Sequence, residues 1–242
     1  MRLWIFDFDG TTATDAIDQA ITRLDSACEA RLRILSDSPN DQVVIISNRN
    51  IYDIAERITL PGVIIGGCNG IEWQLPSGCR IGPFRDLEDE LIRSRLKMLP
   101  ELSKIVYEAG LEMDDKLWSI AVDSSQLKYN QWISIEYKIR LWSRKYSLTV
   151  SSLLDRIEIQ LIPGFNKSIG ISYLARMFKI DPGFDSIIYA GDDECDIVAL
   201  WWTVLFGGTA IMVGNDLQVP GAVYVQDSSA LIAMIDTLVK SP

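Results

Sequence analysis

The sequence has 242 residues, a hydrophobic fraction of 48% and a formal net charge of −10, so it can form one large globular domain or two modest ones. The negative charge argues against a nucleic-acid partner, because phosphate backbones are bound by clustered Lys and Arg. The absence of histidine excludes Ser-His-Asp and Cys-His catalysis and every histidine-ligated metal site. The four cysteines show no paired spacing and no signal peptide is visible, so we expect reduced thiols in a cytoplasmic protein.

The first predicted element is a short buried strand, residues 3–6, which runs into Asp7-Phe8-Asp9-Gly10-Thr11. In open α/β folds, the carboxyl ends of the strands form the edge at which ligands bind. Two carboxylates there are costly to desolvate unless a cation accompanies them, and oxygen ligands suit Mg²⁺. The same residue types are also typical of an ordinary turn, so the rest of the chain must supply partners for the two aspartates.

The next segments predict an alternation of helices and strands. Apolar residues at spacings of three and four predict an amphipathic helix through Ile17, Ile21, Leu24, Cys28 and Leu32. Strands are predicted at 43–46 and 63–65, and a hairpin with a turn at 76–78 follows the second. Ser47-Asn48-Arg49 ends the first of these strands, where Ser47 can cap the next helix, help bind an anion, or do both. The alternation predicts a doubly wound parallel sheet.

The pattern changes after Gly82-Pro83. Two long helices are predicted at 86–109 and 125–146, and Pro100 is a candidate break point in the first. Each helix is followed by two predicted strands, at 111–113, 118–122, 148–150 and 157–161. This order predicts an antiparallel α+β insertion at residues 83–162, within a doubly wound core of residues 1–82 and 163–242.

Two further polar motifs follow the insertion. Lys167 lies in the first turn of a predicted helix, where the helix dipole disfavours a cation; a nearby carboxylate or anion would explain it, and a solvated lysine is the alternative. Gly191-Asp192-Asp193-Glu194-Cys195-Asp196 follows a predicted strand at 186–190. Its acidic residues repel one another unless a cation lies among them; a solvated acidic loop is the alternative.

The long uncharged segment at 197–215 approaches the length of a transmembrane helix. Gly207-Gly208 divides it, so we predict a buried helix, a turn and a buried strand, and no membrane partner.

Taken in order, the four strand-end motifs resemble those of the haloacid dehalogenase-like phosphatases. The similarity is to the subfamily with a large C2-type cap after the third strand (subfamily IIB), which includes trehalose-6-phosphate phosphatase, sucrose-phosphate phosphatase and mannosyl-3-phosphoglycerate phosphatase. The motifs are Asp7-Phe8-Asp9-Gly10-Thr11, Ile46-Ser47-Asn48-Arg49, Gly164-Phe165-Asn166-Lys167 and Gly191-Asp192-Asp193 through Asp196. The resemblance covers the whole chain and implies an α/β fold: a doubly wound, Rossmann-like parallel core with an inserted α+β cap domain.

The resemblance also implies a role for each motif residue. Asp7 would be the nucleophile, and Asp9 the general acid and then the general base. Phosphate binding would fall to Thr11, Ser47, Asn48 and Lys167. The Mg²⁺ ligands would be Asp7, Asp192 and Asp9, the last through its backbone carbonyl, and Asp193 and Asp196 would lie near the ion without binding it directly.

The implied reaction is the Mg²⁺-dependent hydrolysis of a sugar or disaccharide phosphate through an aspartyl-phosphate intermediate. The implied partner is therefore a small molecule, and the protein would be a monomer or a homodimer. A sugar phosphomutase is an alternative, because eukaryotic phosphomannomutases share this architecture. A catalytically weak sugar-phosphate sensor is another, because Thr12 and Cys195 depart from residues common in the family.

Overall fold

The structure of the protein is a computed structural model that describes residues 1–13, 22–152, 156–181, 186–214 and 217–240. The chain divides into two compact units. Met1–Pro83 and Asn166–Pro242 form the first, which we call the core unit, and Phe84–Phe165 form the second, which we call the inserted unit.

Among its described residues, the first part of the core unit supplies five strands and two α-helices: β1 (Arg2–Asp7), α1 (Ser26–Ser36), β2 (Asp41–Ile46), α2 (Ile51–Arg57), β3 (Ile64–Gly67), β4 (Glu72–Gln74) and β5 (Arg80–Ile81). The strands β1 to β3 are almost continuously apolar because both faces of the sheet are covered. The predicted hairpin is β4 and β5, which pair antiparallel.

The helix α1 begins later than the sequence pattern suggested. Asp25 is its N-cap, and the Asp25 carboxylate accepts hydrogen bonds from the backbone N–H groups of Ala27 and Cys28 at 2.9 and 3.1 Å. The predicted helix was therefore wrong at residues 22–25, including Leu24, while Ile17 and Ile21 lie outside the described residues. The apolar periodicity continues into the loop before α1 and therefore gave a helix start that was too early. The N-cap, and not the periodicity, determines where the helix starts.

The inserted unit follows, and the part of it that the structure describes has two α-helices and four strands: α3 (Glu88–Glu108), β6 (Met113–Asp115), β7 (Ser119–Asp123), α4 (Tyr129–Lys145), β8 (Thr149–Ser152) and β9 (Arg156–Gln160). Its sheet has the order β6-β7-β9-β8, and each neighbouring pair is antiparallel. The apolar stripe of α4 packs in the core of this unit through Trp132, Ile135, Ile139 and Trp142. The prediction of an inserted α+β unit is confirmed.

Pro100 does not break α3, which continues through it to Glu108. Proline removes one backbone hydrogen bond, here the bond to the carbonyl of Leu96 one turn earlier. Pro100 and Leu96 are both exposed, so water can reach that carbonyl. The strand predicted at 111–113 is also shifted, since β6 spans Met113–Asp115.

The described residues in the last part of the core unit add three α-helices and three strands: α5 (Lys167–Met177), β10 (Ser186–Gly191), α6 (Ile197–Leu205), β11 (Thr209–Val213), β12 (Val223–Val225) and α7 (Ser228–Lys240). The helix and strand predicted within 197–215 are α6 and β11, and β12 was not predicted. Among the described residues, no helix is long and apolar enough to span a membrane.

The described strands of the core unit form one sheet in the order β12-β11-β10-β1-β2-β3-β4-β5. Strands β12 to β3 are parallel in this order, and two apolar clusters cover the two faces of the sheet. From β1 the chain continues to β2 on one side, while β10 pairs with β1 on the other side. The carboxyl end of β1 is therefore a topological switch point, where doubly wound sheets bind ligands. The predicted fold class is confirmed.

One close approach in the core unit tests this packing. A Cβ atom at Gly170, in α5, would lie 2.4 Å from the carbonyl oxygen of Asn69 and 2.8 Å from Cα of Gly70, in the turn after β3. We expect Gly170→Ala to lower the free energy of unfolding by about 1–3 kcal/mol, because the backbone must move to admit the methyl group. Ser172→Ala, on the same helix, is the control and should change stability by less than about 0.5 kcal/mol. Chemical denaturation measures both, and an unchanged Gly170→Ala variant would contradict the packing.

Candidate active site

A buried ammonium group lies between two buried carboxylates at the carboxyl edge of the core sheet. The Nζ atom of Lys167 donates to Asp7 Oδ1 and to Asp196 Oδ1, both at 2.6 Å. The three residues are 3%, 5% and 0% exposed, respectively. Asp7 ends β1, Lys167 begins α5, and Asp196 follows β10, so residues from distant parts of the chain meet at this edge.

The cap of α5 fixes the position of Lys167. The Asn166 side-chain oxygen accepts hydrogen bonds from the backbone N–H groups of Ser168 and Ile169, at 3.0 and 3.3 Å. This cap starts the helix at Lys167 and compensates in part for a cation in its first turn. The expectation that a carboxylate accompanies Lys167 is met by Asp7 and Asp196.

Asp196 is saturated with hydrogen-bond donors. Its Oδ1 atom accepts from Lys167 and from the Tyr189 hydroxyl. Its Oδ2 atom accepts from the backbone N–H groups of Asp192 and Asp193, at 3.0 and 3.2 Å. Burial favours the neutral acid, but Lys167 and the other donors outweigh burial and lower the pKa of Asp196 below its ordinary value. Asp196 is therefore an ionised partner of Lys167 that also shapes the loop after β10.

Two residues of the first motif, Gly10 and Thr11, lie against Asp192, which belongs to the last motif. The Thr11 hydroxyl donates to Asp192 Oδ1 at 2.7 Å. Gly10 has a φ of +75°, and a Cβ atom there would lie 2.0 Å from Asp192 Oδ2, so a side chain at position 10 has no room. The Gly-Thr pair thus positions the carboxylate that was predicted to bind metal. Thr11 is fully buried, and its predicted contact with phosphate stays a prediction.

Asp9 is held by Arg49, which sequence reasoning did not assign to the site. Arg49 Nη2 donates to Asp9 Oδ1 at 2.6 Å and Arg49 Nε donates to Oδ2 at 2.9 Å. Ser47 Oγ lies 3.5 Å from Asp9 Oδ2 and accepts a hydrogen bond from the backbone N–H of Arg49 at 3.1 Å. The sequence does contain one signal that could have identified Arg49 as a site residue, which is its position two residues after Ser47, just beyond the end of β2.

Asn48 lies between Ser47 and Arg49 and is half-buried. Its side chain has no hydrogen-bond partner among the residues that the structure describes. Its predicted role in phosphate binding therefore stays a prediction, as does metal binding by Asp9.

The electrostatics of Asp7 and Asp192 favour a bound cation. Burial raises the pKa of Asp7 well above its ordinary value of 3.8; Lys167 opposes this, and Asp196 and Asp192 add to it. Burial raises the pKa of Asp192 from 3.8 to about 7, against the hydrogen bond from Thr11 and with repulsion from Asp196. Lys167 stays protonated, because its carboxylate partners outweigh burial and raise its pKa. If Asp7 and Asp192 ionise beside Asp196, three carboxylates share one ammonium group and two negative charges are left uncompensated; a bound cation would offset them and favour the ionised forms.

These residues fit a divalent cation. One oxygen each from Asp7, Asp192 and Asp196 lies within 4.8 Å of the others. Since each Asp196 oxygen already accepts two hydrogen bonds, Asp7 and Asp192 are the residues that could hold the ion, and Asp196 would support them. Carboxylate oxygens are the ligands that Mg²⁺ prefers. Asp193 lies beside Asp192 and caps the turn at residues 194–196 through the backbone N–H of Cys195.

The inserted unit contains a separate buried polar cluster. Lys116 Nζ lies 3.7 Å from Glu158 Oε1, and the Ser119 hydroxyl donates to the same oxygen at 3.0 Å. All three residues are less than a tenth exposed. The pairing of Lys116 with Glu158 joins residues that are far apart in the sequence, so it leaves no local sequence signal.

The raised pKa of Asp192 predicts how the stability of the metal-free protein depends on pH. An acid with a higher pKa in the folded state favours folding at low pH, and this contribution is lost as pH rises from about 4 to about 7. In EDTA at pH 8 we expect Asp192→Asn to melt above the wild type, by on the order of 5 °C, and this difference should shrink at pH 5. Added Mg²⁺ should stabilise the wild type at pH 8 more than the variant. A difference in melting temperature that is the same at both pH values would contradict this prediction.

No protein-family model matches the chain. A trehalose-phosphate phosphatase from Mycobacterium ulcerans is 24% identical over 241 residues, which cover 94% of this chain and 58% of the relative. An uncharacterized glycosyl hydrolase from Mycobacterium tuberculosis is 24% identical over 217 residues, covering 87% of this chain and 16% of that protein. The chain therefore spans only part of the length of these relatives.

Solved structures share the fold over nearly the whole chain. The C-terminal domain of a Candida albicans trehalose-6-phosphate phosphatase has a TM-score of 0.75 at 17% identity, covering 98% of this chain and 92% of that one. A haloacid dehalogenase-like hydrolase from Bacteroides thetaiotaomicron has a TM-score of 0.69 at 17% identity, covering 98% and 99%. The predicted resemblance is confirmed: the chain has the capped fold of the haloacid dehalogenase-like hydrolases and is distantly similar in sequence to the trehalose-phosphate phosphatases.

Proposed function

We propose that this protein is a Mg²⁺-dependent phosphatase that hydrolyses a sugar or disaccharide phosphate through an aspartyl-phosphate on Asp7. The observation that carries the proposal is the cluster at the end of β1, where Lys167 pairs with Asp7 and Asp196 and a carboxylate oxygen of Asp192 lies within 4.8 Å of theirs. Such a cluster is expensive to bury for stability alone, because each charge loses its hydration. It suits phosphoryl transfer, in which fixed cations stabilise the negative charge of the phosphoryl group as it moves.

Asp7 is the proposed nucleophile. Lys167 holds its Oδ1 atom, while Oδ2 accepts no hydrogen bond from the described residues, so Oδ2 is the oxygen that attacks phosphorus. A carboxylate and a phosphate about 4 Å apart repel by roughly 1–4 kcal/mol per pair of unit charges in a partly wet site, which the Lys167 ammonium offsets. Mg²⁺ held by Asp7 and Asp192 would add positive charge at the phosphoryl oxygens.

Asp9 handles the protons in this proposal. As the phosphorus–oxygen bond to the sugar breaks, Asp9 donates a proton to the leaving oxygen. A water molecule then attacks phosphorus, Asp9 takes a proton from that water, and the bond between phosphorus and Asp7 breaks to release inorganic phosphate. A third of the Asp9 side chain is exposed, which gives it access to the leaving oxygen and to the attacking water.

The substrate class follows from charge and from similarity. A chain with a net charge of −10 does not attract anions in general, so a small phosphate ester must be held by local groups such as Lys167 and the backbone at the sheet edge. The names of the relatives favour the phosphate ester of a disaccharide, and a monosaccharide phosphate fits the same chemistry.

The proposal is tested by release of inorganic phosphate from a panel of sugar phosphates that includes trehalose 6-phosphate. We expect activity that requires Mg²⁺ and is lost on addition of EDTA. Asp7→Asn should lower kcat by about three orders of magnitude or more, because the amide cannot form the covalent intermediate. Asp89→Asn, an exposed change in α3, is the matched control and should retain full activity.

Other outcomes would reject this function. Equal activity of the wild type and Asp7→Asn would exclude the proposed nucleophile. Interconversion of hexose 1- and 6-phosphates without phosphate release would instead indicate a mutase. Tight binding of a sugar phosphate with no turnover would indicate a sensor.

A further inference from the structure

The carboxylate of Asp9 needs external support. Asp9 lies beyond the end of β1, and a third of its side chain is exposed. Arg49 supplies the support through two parallel hydrogen bonds to the two carboxylate oxygens, an arrangement that fixes the carboxylate plane as well as its distance. The orientation of Asp9 thus depends on the orientation of Arg49.

Arg49 is in turn held from the first turn of α2. Its Nη1 atom donates to Asp53 Oδ2 at 3.1 Å, while Nε and Nη2 face Asp9. The backbone of Asp53 is fixed by the N-cap, since the Asn50 side chain accepts a hydrogen bond from the Asp53 N–H at 2.8 Å. A residue in a capped helical turn therefore sets the position of the guanidinium group.

The chain of ion pairs continues one helical turn further along α2, from Asp53 to Arg57. Arg57 donates from Nε and Nη2 to Asp53 Oδ1, at 2.9 and 2.5 Å, and from Nη1 to the carbonyl of Thr22 at 3.0 Å. Asp53 and Arg57 are four residues apart on one face of α2, and Arg49 lies just before the N-cap Asn50. The result is a line of alternating charges, Asp9-Arg49-Asp53-Arg57, that connects the site to the body of the core unit.

This line differs from an ordinary surface salt bridge. The side chains of Arg49 and Arg57 are only 11% and 8% exposed, and that of Asp53 is 30% exposed. Burial opposes the charge on Asp53, but its two arginine partners lower its pKa, so it remains ionised. The desolvation of these groups limits their contribution to stability.

We propose that Asp53 is a positioning residue for the general acid Asp9 and acts through Arg49. The inference rests on the proposed function. Without the Asp53 carboxylate, Arg49 loses its anchor on α2, and Asp9 loses the fixed geometry needed to deliver a proton. A sugar leaves as a basic alkoxide and needs that proton, whereas 2,4-dinitrophenolate is a stable anion and does not. The effect of Asp53 therefore depends on the leaving group.

The test compares kcat/KM of Asp53→Asn for the best sugar phosphate and for 2,4-dinitrophenyl phosphate, because kcat/KM reports the step that forms the aspartyl-phosphate. We expect a loss of about 10- to 100-fold with the sugar phosphate, part of the 10²–10⁴ that general acids contribute, and less than about threefold with the aryl phosphate. Asp53→Glu, which keeps the charge, should recover part of the loss.

Glu29→Gln is the matched control, because it removes a similar pairing between a carboxylate and the arginine four residues later, Arg33, on α1. It should leave kcat/KM unchanged for both substrates. If Asp53→Asn fails to fold, as judged by thermal unfolding, Arg57→Lys tests the same line and should show the same leaving-group dependence at smaller amplitude.

Two results would overturn the inference while leaving the proposed function intact. An equal loss with both substrates would mean that Asp53 acts on the whole site or on the fold. No loss with either substrate would mean that Arg49 holds Asp9 unaided. A wild type that turns over neither substrate would reject the proposed function, and this inference with it.

Discussion

The ion pairs of one buried lysine organise the site at the end of β1. Lys167 has almost no contact with water, so its charge must be balanced by Asp7 and Asp196. Asp196 balances it most completely, because four donors keep that carboxylate ionised. Asp7 shares the same ammonium at higher energetic cost, as its raised pKa indicates. The site is therefore electrostatically incomplete in a way that an added cation would relieve.

The topology of the core unit explains why these groups meet. Parallel strands end at one edge, and the pairing of β1 with both β2 and β10 brings three polar loops to its carboxyl end. Two glycines make this convergence possible. A Cβ atom at Gly191 would lie 2.3 Å from Cγ of Asp196, as one at Gly10 would collide with Asp192. Backbone without side chains thus allows the acidic groups to approach closely.

Much of the fold and part of the site could be predicted from the sequence. The strands of the core are continuous apolar runs that end in polar motifs, a local signal that survives in a single sequence. The start of α1 was missed because a cap, not a periodicity, determines it, and the helix through Pro100 was missed because proline at an exposed position is tolerated. Arg49 was missed because its role arises from a contact with Asp9, forty residues away, which one sequence does not reveal.

Glycine at position 10 has a consequence for how homologous chains can vary. Two obstacles exclude a side chain there: the positive φ, which strains any L-residue, and the Asp192 carboxylate, which would lie 2.0 Å from a Cβ atom. Replacing Asp192 would remove only the second obstacle, and the backbone would still favour glycine. A homologous chain that abandoned Asp192 is therefore expected to keep glycine at this position for as long as it keeps the turn.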